Sequence, residues 1–161
     1  MDFAHAQYSL LKLFAALTAS PLDVVRMMRL TEEVVELLKK LQQKSDLSAT
    51  SDEAIEEAEH EGLIVGNGNN IFSLTTLGFE TLIQIQRRLI SADQLNLSEQ
   101  AKIAYISQRN YSRFQKLSSF GLSSGVSVKI QQKFPSFVLQ CEETQVALEE
   151  EILRDIFVWR D

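Results

Sequence analysis

Two glycines four residues apart, followed by alternating apolar and polar residues, constrain what the carboxyl-terminal part of this chain can fold into. The segment reads GLSSG over residues 121–125 and continues as VSVKI over residues 126–130. Glycine accepts the positive φ that a tight turn requires, and alternation with a period of two gives a strand one buried face. The sequence therefore predicts a turn that leads into a half-buried strand.

Similar patterns surround this turn and predict a small β-barrel over residues 101–161. An alternating strand over residues 101–106 precedes a short helix over residues 111–120. After the GLSSG strand, a hairpin turns at Glu142-Glu143, and a last apolar strand covers residues 152–158. The polar segment 91–100 is expected to be a linker that separates this barrel from the preceding part of the chain.

The ordered set of strand, helix, glycine-bounded strand, hairpin and final strand resembles the FeoA family of SH3-like barrels over about residues 94–159. The resemblance implies a small cytosolic accessory of the ferrous-iron transporter FeoB. Its expected partner is therefore a protein, such as the cytosolic part of that transporter.

Helical spacing and a glycine-asparagine hairpin organise residues 1–90. Helices are predicted over residues 5–18 and 22–28, then from Thr31 to Lys44 and from Ser51 to Glu61, with Thr31 and Ser51 as N-caps. Two short apolar strands flank the sequence GNGNN at residues 66–70, and a final helix runs to about Ile90. This order resembles a winged helix-turn-helix. The predicted fold class is thus α+β, an amino-terminal winged helix followed by an SH3-like barrel.

Two helices could serve as a DNA recognition helix, and both are acidic. In one arrangement Pro21–Leu30 supports and Thr31–Lys44 reads the DNA; in the other Thr31–Gln43 supports and Ser51–Glu61 reads it. Base and phosphate contacts come mainly from Lys, Arg, Asn and Gln. The helix from Ser51 to Glu61 has no Lys or Arg, and the other candidate places its lysines Lys39, Lys40 and Lys44 toward its end. DNA is therefore the less favoured partner.

The order of a winged helix and a FeoA-like barrel is similar to that of the diphtheria-toxin-repressor family of metal-dependent regulators. That resemblance implies, as the alternative, a DNA-binding regulator of metal homeostasis. That family places a helical dimerisation domain, rich in His, Glu and Cys ligands, between the two, whereas here only residues 91–100 separate them. The whole sequence contains only His5 and His60, so the family's activating metal site has no evident counterpart.

Charge is distributed unevenly along the chain. Residues 1–90 contain eight basic against thirteen acidic side chains, whereas no acid occurs between residues 101 and 140. A basic surface of this kind favours an acidic protein partner. The predicted partner-binding residues are the basic side chains Arg109, Arg113, Lys116, Lys129 and Lys133.

Catalytic and metal motifs are weak in this sequence. Glu57 and His60 share one helix face at a spacing of three, but no second copy of the pair supplies further ligands, so they are only weak metal candidates. No nucleophile-base pattern is present, and the single cysteine excludes an internal disulfide. The expectation is a cytoplasmic, non-enzymatic protein without a cofactor or membrane insertion. A homodimer remains an alternative, formed through a helix face containing Leu82, Ile83, Ile85 and Leu89.

Overall fold

The structure, a computed structural model, describes residues 30–160, and the chain divides into two compact units between Arg87 and Arg88. The helices predicted over residues 5–18 and 22–28 lie outside the described residues, as does His5. Each unit is described separately below.

Three helices and a hairpin form the described part of the amino-terminal unit. They are α1 (Glu32–Gln43), α2 (Asp52–His60), β1 (Ile64–Gly66), β2 (Phe72–Leu74) and α3 (Thr76–Arg88). Val34, Leu37, Leu38, Leu63 and Leu82 are almost completely buried and fix how these elements pack. The predicted order of helix, helix, hairpin and helix is confirmed for these residues.

Both predicted N-caps are present. The Thr31 hydroxyl accepts a hydrogen bond from the Val34 N–H at 3.2 Å, and the Ser51 hydroxyl accepts one from the Ala54 N–H at 3.2 Å. Each satisfies one of the backbone donors that the first turn of a helix leaves unpaired. The starts of α1 and α2 therefore follow from local sequence signals.

The hairpin is held against the start of α3 by Thr75. Its hydroxyl donates to the Gly62 carbonyl at 2.5 Å and accepts from the Gly78 N–H at 3.0 Å, while its own N–H donates to the Leu63 carbonyl. Gly78, in the first turn of α3, lies so close to the backbone of Leu63, the residue before β1, that there is no room for a side chain. These bonds fix the hairpin at the amino end of α3.

The carboxyl-terminal unit is a six-stranded antiparallel sheet with two helices. Its strands are β3 (Leu89–Ser91), β4 (Gln100–Ile106), β5 (Ser127–Gln132), β6 (Phe137–Cys141), β7 (Thr144–Leu148) and β8 (Ile156–Trp159). The strand order is β3-β8-β4-β5-β6-β7. Helix α4 (Tyr111–Ser119) follows β4, and the single turn α5 (Glu150–Leu153) precedes β8. The predicted α+β class with an SH3-like carboxyl-terminal domain is confirmed.

One hydrophobic core lies inside this unit. Ile103, Val128, Ile130 and Leu139 point into it from the sheet, and α4 contributes Leu117, with Phe114 packed beside it. Cys141 also belongs to this core; burial raises the pKa of its thiol, with a smaller contribution from the nearby Glu142 charge. A thiol in this setting packs as a small apolar side chain.

The prediction that residues 91–100 form a linker is wrong. Strand β3 pairs with β8, so that Ile90 lies opposite Val158, and Ala92 and Leu95 are fully buried in the core of the sheet domain. Glu99 accepts from the Arg160 guanidinium at 3.0 Å, which, together with the Asn96 N–H, lowers the pKa of Glu99. The segment looks polar in sequence, yet it closes one end of the core.

The last strand is also shorter than predicted. Residues 152–158 were expected to be one strand, but α5 occupies Glu150–Leu153 and the strand begins at Ile156. Leu153 is buried from the helical turn and Ile156 from the strand. Two apolar positions three residues apart fit a helical turn as well as an irregular strand. Within residues 30–160, no helix is both long and apolar enough to cross a membrane.

Candidate docking surface

The outward face of the β4–β5 sheet carries lysines and neutral polar residues. In the antiparallel register, Gln100 lies opposite Lys129 and Lys102 lies opposite Ser127, and opposed residues point to the same side of a sheet. The intervening residues, Ala101 and Val128, face the core. The four polar residues Gln100, Lys102, Ser127 and Lys129 therefore share the outward face, called here the lysine face.

The lysine face continues across the neighbouring strands with glutamines. Gln140 lies opposite Lys129, and Gln145 lies opposite Gln140. The Gln131 side-chain amide donates to the Gln140 side chain, whose own amide donates to the Glu142 carbonyl at 3.0 Å. These amide side chains make the surface beside Lys129 polar and uncharged.

Lys102 and Lys129 are diagonal neighbours on this face. Diagonal positions on adjacent strands are separated by about 7–8 Å, so the two ammonium groups repel each other weakly. Lys102 is exposed and Lys129 half-buried, and neither makes an ion pair with any residue of the part that the structure describes. The geometry therefore leaves two adjacent positive charges available to an anionic group outside this unit.

Arg113, one of the predicted partner-binding residues, is already used inside the domain. Its guanidinium donates to Asp155 at 2.9 Å and lies 3.4 Å from Glu151, and its side chain is only 24% exposed. The Asp155 and Glu151 carboxylates raise its pKa. Arg113 thus ties α4 to the segment between α5 and β8, and the expectation that it faces outward to a partner is corrected.

The remaining predicted cations do not form one patch. Arg109 and Lys116 are exposed beside and on α4, whereas Lys129 lies on the lysine face and Lys133 is half-buried after β5. Helix α4 packs Leu117 on the core, and its cation Lys116 lies on a different element from Lys129. The structure instead places Lys129 beside Lys102, which the sequence prediction did not include.

The lysines proposed for DNA contact lie together in the amino-terminal unit. Lys39 is exposed and Lys40 half-buried in the last turn of α1, and Lys44 caps it with a positive φ of 54°. Glu32 and Glu33 occupy the first turn of the same helix, where base contacts are usually made. On α2, the acidic residues Asp52, Glu53, Glu56 and Glu59 are all exposed.

The weak metal candidates do not gain further ligands. Glu57 is half-buried and His60 exposed on α2, and residues 30–160 contain no group of three His, Cys, Asp or Glu side chains placed to hold a metal ion. The proposed dimer face is also corrected: Leu82 and Ile85 are buried within their own unit, Leu89 belongs to β3, and Ile83 alone is exposed, at 37%.

Comparison with protein families decides the nature of the carboxyl-terminal unit. The sequence-family model of the FeoA domain matches residues 90–160, which run from β3 to the end of β8. The carboxyl-terminal unit is a FeoA domain. The match begins at β3, in agreement with the burial of Ala92 and Leu95 in this domain. No curated protein sequence matches the chain.

Solved structures resemble parts of this chain at low identity. A FeoA-like protein from Clostridium acetobutylicum is 20% identical, with 44% of this chain and 85% of that one covered, at a TM-score of 0.41. IdeR from T. acidophilum is 14% identical, with 82% and 99% covered, at a TM-score of 0.43. A manganese-dependent transcriptional repressor is 15% identical, with 80% and 81% covered, also at 0.43.

Proposed function

We propose that this chain is a non-enzymatic, cytoplasmic accessory or regulatory protein of ferrous-iron handling that acts by docking to another protein. The FeoA domain supports the link to iron, and the lysine face supports a docking role. The proposed partner is an acidic surface on the cytosolic part of a ferrous-iron transporter. The acidic amino-terminal unit would make further contacts in the same assembly.

The lysine face suits electrostatic capture of such a partner. Lys102 and Lys129 have no intramolecular ion pair to break among residues 30–160 before they meet a carboxylate. Charges of this kind chiefly accelerate encounter and select among partners, and their effect decreases as salt screens them. Binding should therefore weaken with ionic strength.

The test compares two double charge reversals that change the net charge equally. Lys102→Glu with Lys129→Glu removes the lysine face, whereas Lys39→Glu with Lys116→Glu changes two exposed cations that are not part of it. We expect the first variant to bind the transporter's cytosolic domain at least about tenfold more weakly, since two attractive contacts become repulsive. The second variant should change affinity much less. Isothermal titration calorimetry measures both.

Equal affinity of the two variants would contradict the proposed surface. Circular dichroism of each variant serves as the folding control. Because Lys102 and Lys129 point away from the core, neither substitution should disturb packing.

The second candidate function is a DNA-binding regulator of metal homeostasis. The observation that favours it is the order of helices and hairpin over residues 32–88, which is that of a winged helix, followed by a FeoA domain. The exposed acids of α2 oppose it, because phosphate contacts supply much of the affinity for DNA.

We expect duplex DNA carrying the chain's own promoter to bind weakly and without sequence preference. Fluorescence anisotropy at about 0.15 M salt, near physiological ionic strength, measures this. Binding at a Kd of about 10⁻⁸ M or tighter would instead favour the regulator. Such binding should then be lost when Lys39, Lys40 and Lys44 are replaced by glutamate. If DNA binding is weak as expected, added Fe²⁺ or Mn²⁺ should change its affinity little.

A further inference from the structure

Strand β7 of the FeoA domain is an edge strand with an open side. It lies at the end of the strand order and, among residues 30–160, pairs only with β6, from Cys141 opposite Thr144 to Phe137 opposite Leu148. In the described range 30–160, no hydrogen bond joins Thr144–Leu148 to any segment other than β6. One row of the backbone groups of β7 is therefore unpaired within the part of the chain that the structure describes.

The hairpin geometry identifies these groups. A two-residue turn makes Cys141 and Thr144 the first hydrogen-bonded pair, and bonded and non-bonded pairs then alternate along an antiparallel ladder. The N–H and C=O groups of Gln145 and Ala147 consequently point away from β6. Both side chains are exposed, so another strand can approach these backbone groups.

The edge lacks the features that usually prevent strand addition. Proteins commonly protect an edge with a lysine, a proline, a bulge or a very short strand. The sequence TQVAL of β7 contains no charge and no proline, and its register with β6 is continuous. The other edge, β3, has three residues. Of the two edges of this sheet, β7 is the one suited to an added strand.

Charges at the two ends of β7 select the strand that can be added. Glu142 and Glu143 precede the uncharged segment and Glu149 follows it, and none of the three makes an ion pair within residues 30–160. A second copy of β7, paired antiparallel about Val146, would place Glu143 opposite Glu149 of that copy. Like charges in directly opposed positions are destabilising. Self-pairing is therefore disfavoured.

We propose that the open edge of β7 binds an extended protein segment that has an uncharged centre and basic residues at both ends. Backbone hydrogen bonds to Gln145 and Ala147 would supply affinity, as in other cases of strand addition. The glutamates at the two ends would supply selectivity for the basic residues. The edge adjoins the glutamines beside the lysine face through Gln145, but it uses backbone groups rather than the lysines, so the inference does not depend on the proposed function.

The probe is a fluorescently labelled octapeptide with alternating threonine and valine in its four central positions and two lysines at each end. A control peptide carries glutamates in place of the lysines. With the whole 161-residue chain, the lysine peptide should bind at least about tenfold more tightly, and the difference should shrink with salt. Replacing Glu142, Glu143 and Glu149 by glutamine should remove the preference.

A substitution at Ala147 tests the backbone contact. Ala147→Pro removes the outward N–H and should weaken binding of the lysine peptide by about three- to tenfold, the value of one backbone hydrogen bond. The matched control, Ala147→Thr, keeps the N–H and should bind normally. A peptide N-methylated at alternate residues tests the same contact on the unaltered protein, should the proline variant fold poorly.

Three outcomes would overturn the proposal. One is that the lysine and glutamate peptides bind equally tightly, or that neither peptide binds. Another is unchanged binding by both Ala147→Pro and the N-methylated peptide. The third is a dimer, detected by sedimentation, that Ala147→Pro dissociates, which would assign the edge to a second copy of the chain.

Discussion

Gly78→Ala is expected to unfold the amino-terminal unit while the FeoA domain stays folded. A Cβ built on Gly78 would lie 2.1 Å from the Leu63 carbonyl oxygen and 3.1 Å from its carbonyl carbon. Both are backbone atoms, so no side-chain rotation relieves the contact. The same Leu63 carbonyl accepts from the Thr75 N–H at 3.0 Å, which holds it in place.

The expected loss of stability is about 3 kcal/mol or more, because overpacking against a fixed backbone exceeds the usual cost of an added methyl group. That is a large part of the stability of a small unit. Helices α1, α2 and α3 account for most of the helical residues in the described range, so circular dichroism at 222 nm follows their loss. The single tryptophan, Trp159, is buried in the FeoA domain and its fluorescence reports separately on that domain.

Gly125→Ala provides the control. Gly125 has a φ of +88°, and no atom beyond its two chain neighbours lies within 4 Å of its ideal Cβ position, so only the backbone conformation opposes a side chain there. The cost should be about 1–2 kcal/mol and should appear in the Trp159 signal. If Gly78→Ala lowered stability no more than Gly125→Ala, the close packing of α3 on Leu63 would be incorrect.

Features that depend on neighbouring residues could be predicted from this sequence. The Thr31 and Ser51 caps, the hairpin on either side of residues 66–70 and the strand after Gly125 all follow from signals within a few residues. Such signals are local because capping and turn formation involve backbone groups close in sequence.

Features that depend on pairing between residues far apart in the chain could not be predicted from this sequence. The neighbourhood of Lys102 and Lys129 is set by the β4–β5 register, and the ion pair between Arg113 and Asp155 joins residues 42 positions apart. Neither partner is marked in the sequence as belonging to the other. A stretch without acids therefore predicts cations on this domain but does not show which of them lie together.

The segment 91–100 shows the same limitation and gives the second large expected effect. Leu95 is fully buried in the FeoA core, although Asp93, Gln94, Asn96 and Ser98 around it are polar. Leu95→Ala in the whole chain should destabilise the FeoA domain by about 2–5 kcal/mol, the usual cost of removing a buried leucine side chain. Leu97→Ala, two residues further and 60% exposed, is the matched control and should cost about 0.5 kcal/mol or less. Denaturant unfolding followed by Trp159 fluorescence measures both.

Two fragments test the boundary directly. A fragment of residues 88–161 keeps β3, Leu95 and the bond from the Arg160 N–H to the Arg88 carbonyl at 2.8 Å, and it should fold cooperatively. A fragment of residues 101–161 loses strand β3, which pairs with one side of β8, and the Glu99 carboxylate that binds Arg160. It also loses the buried side chains of Ala92 and Leu95. It should lack a cooperative transition, because a domain this small has little stability to lose. If the shorter fragment unfolded at the same denaturant concentration as the longer one, residues 91–100 would be a linker after all.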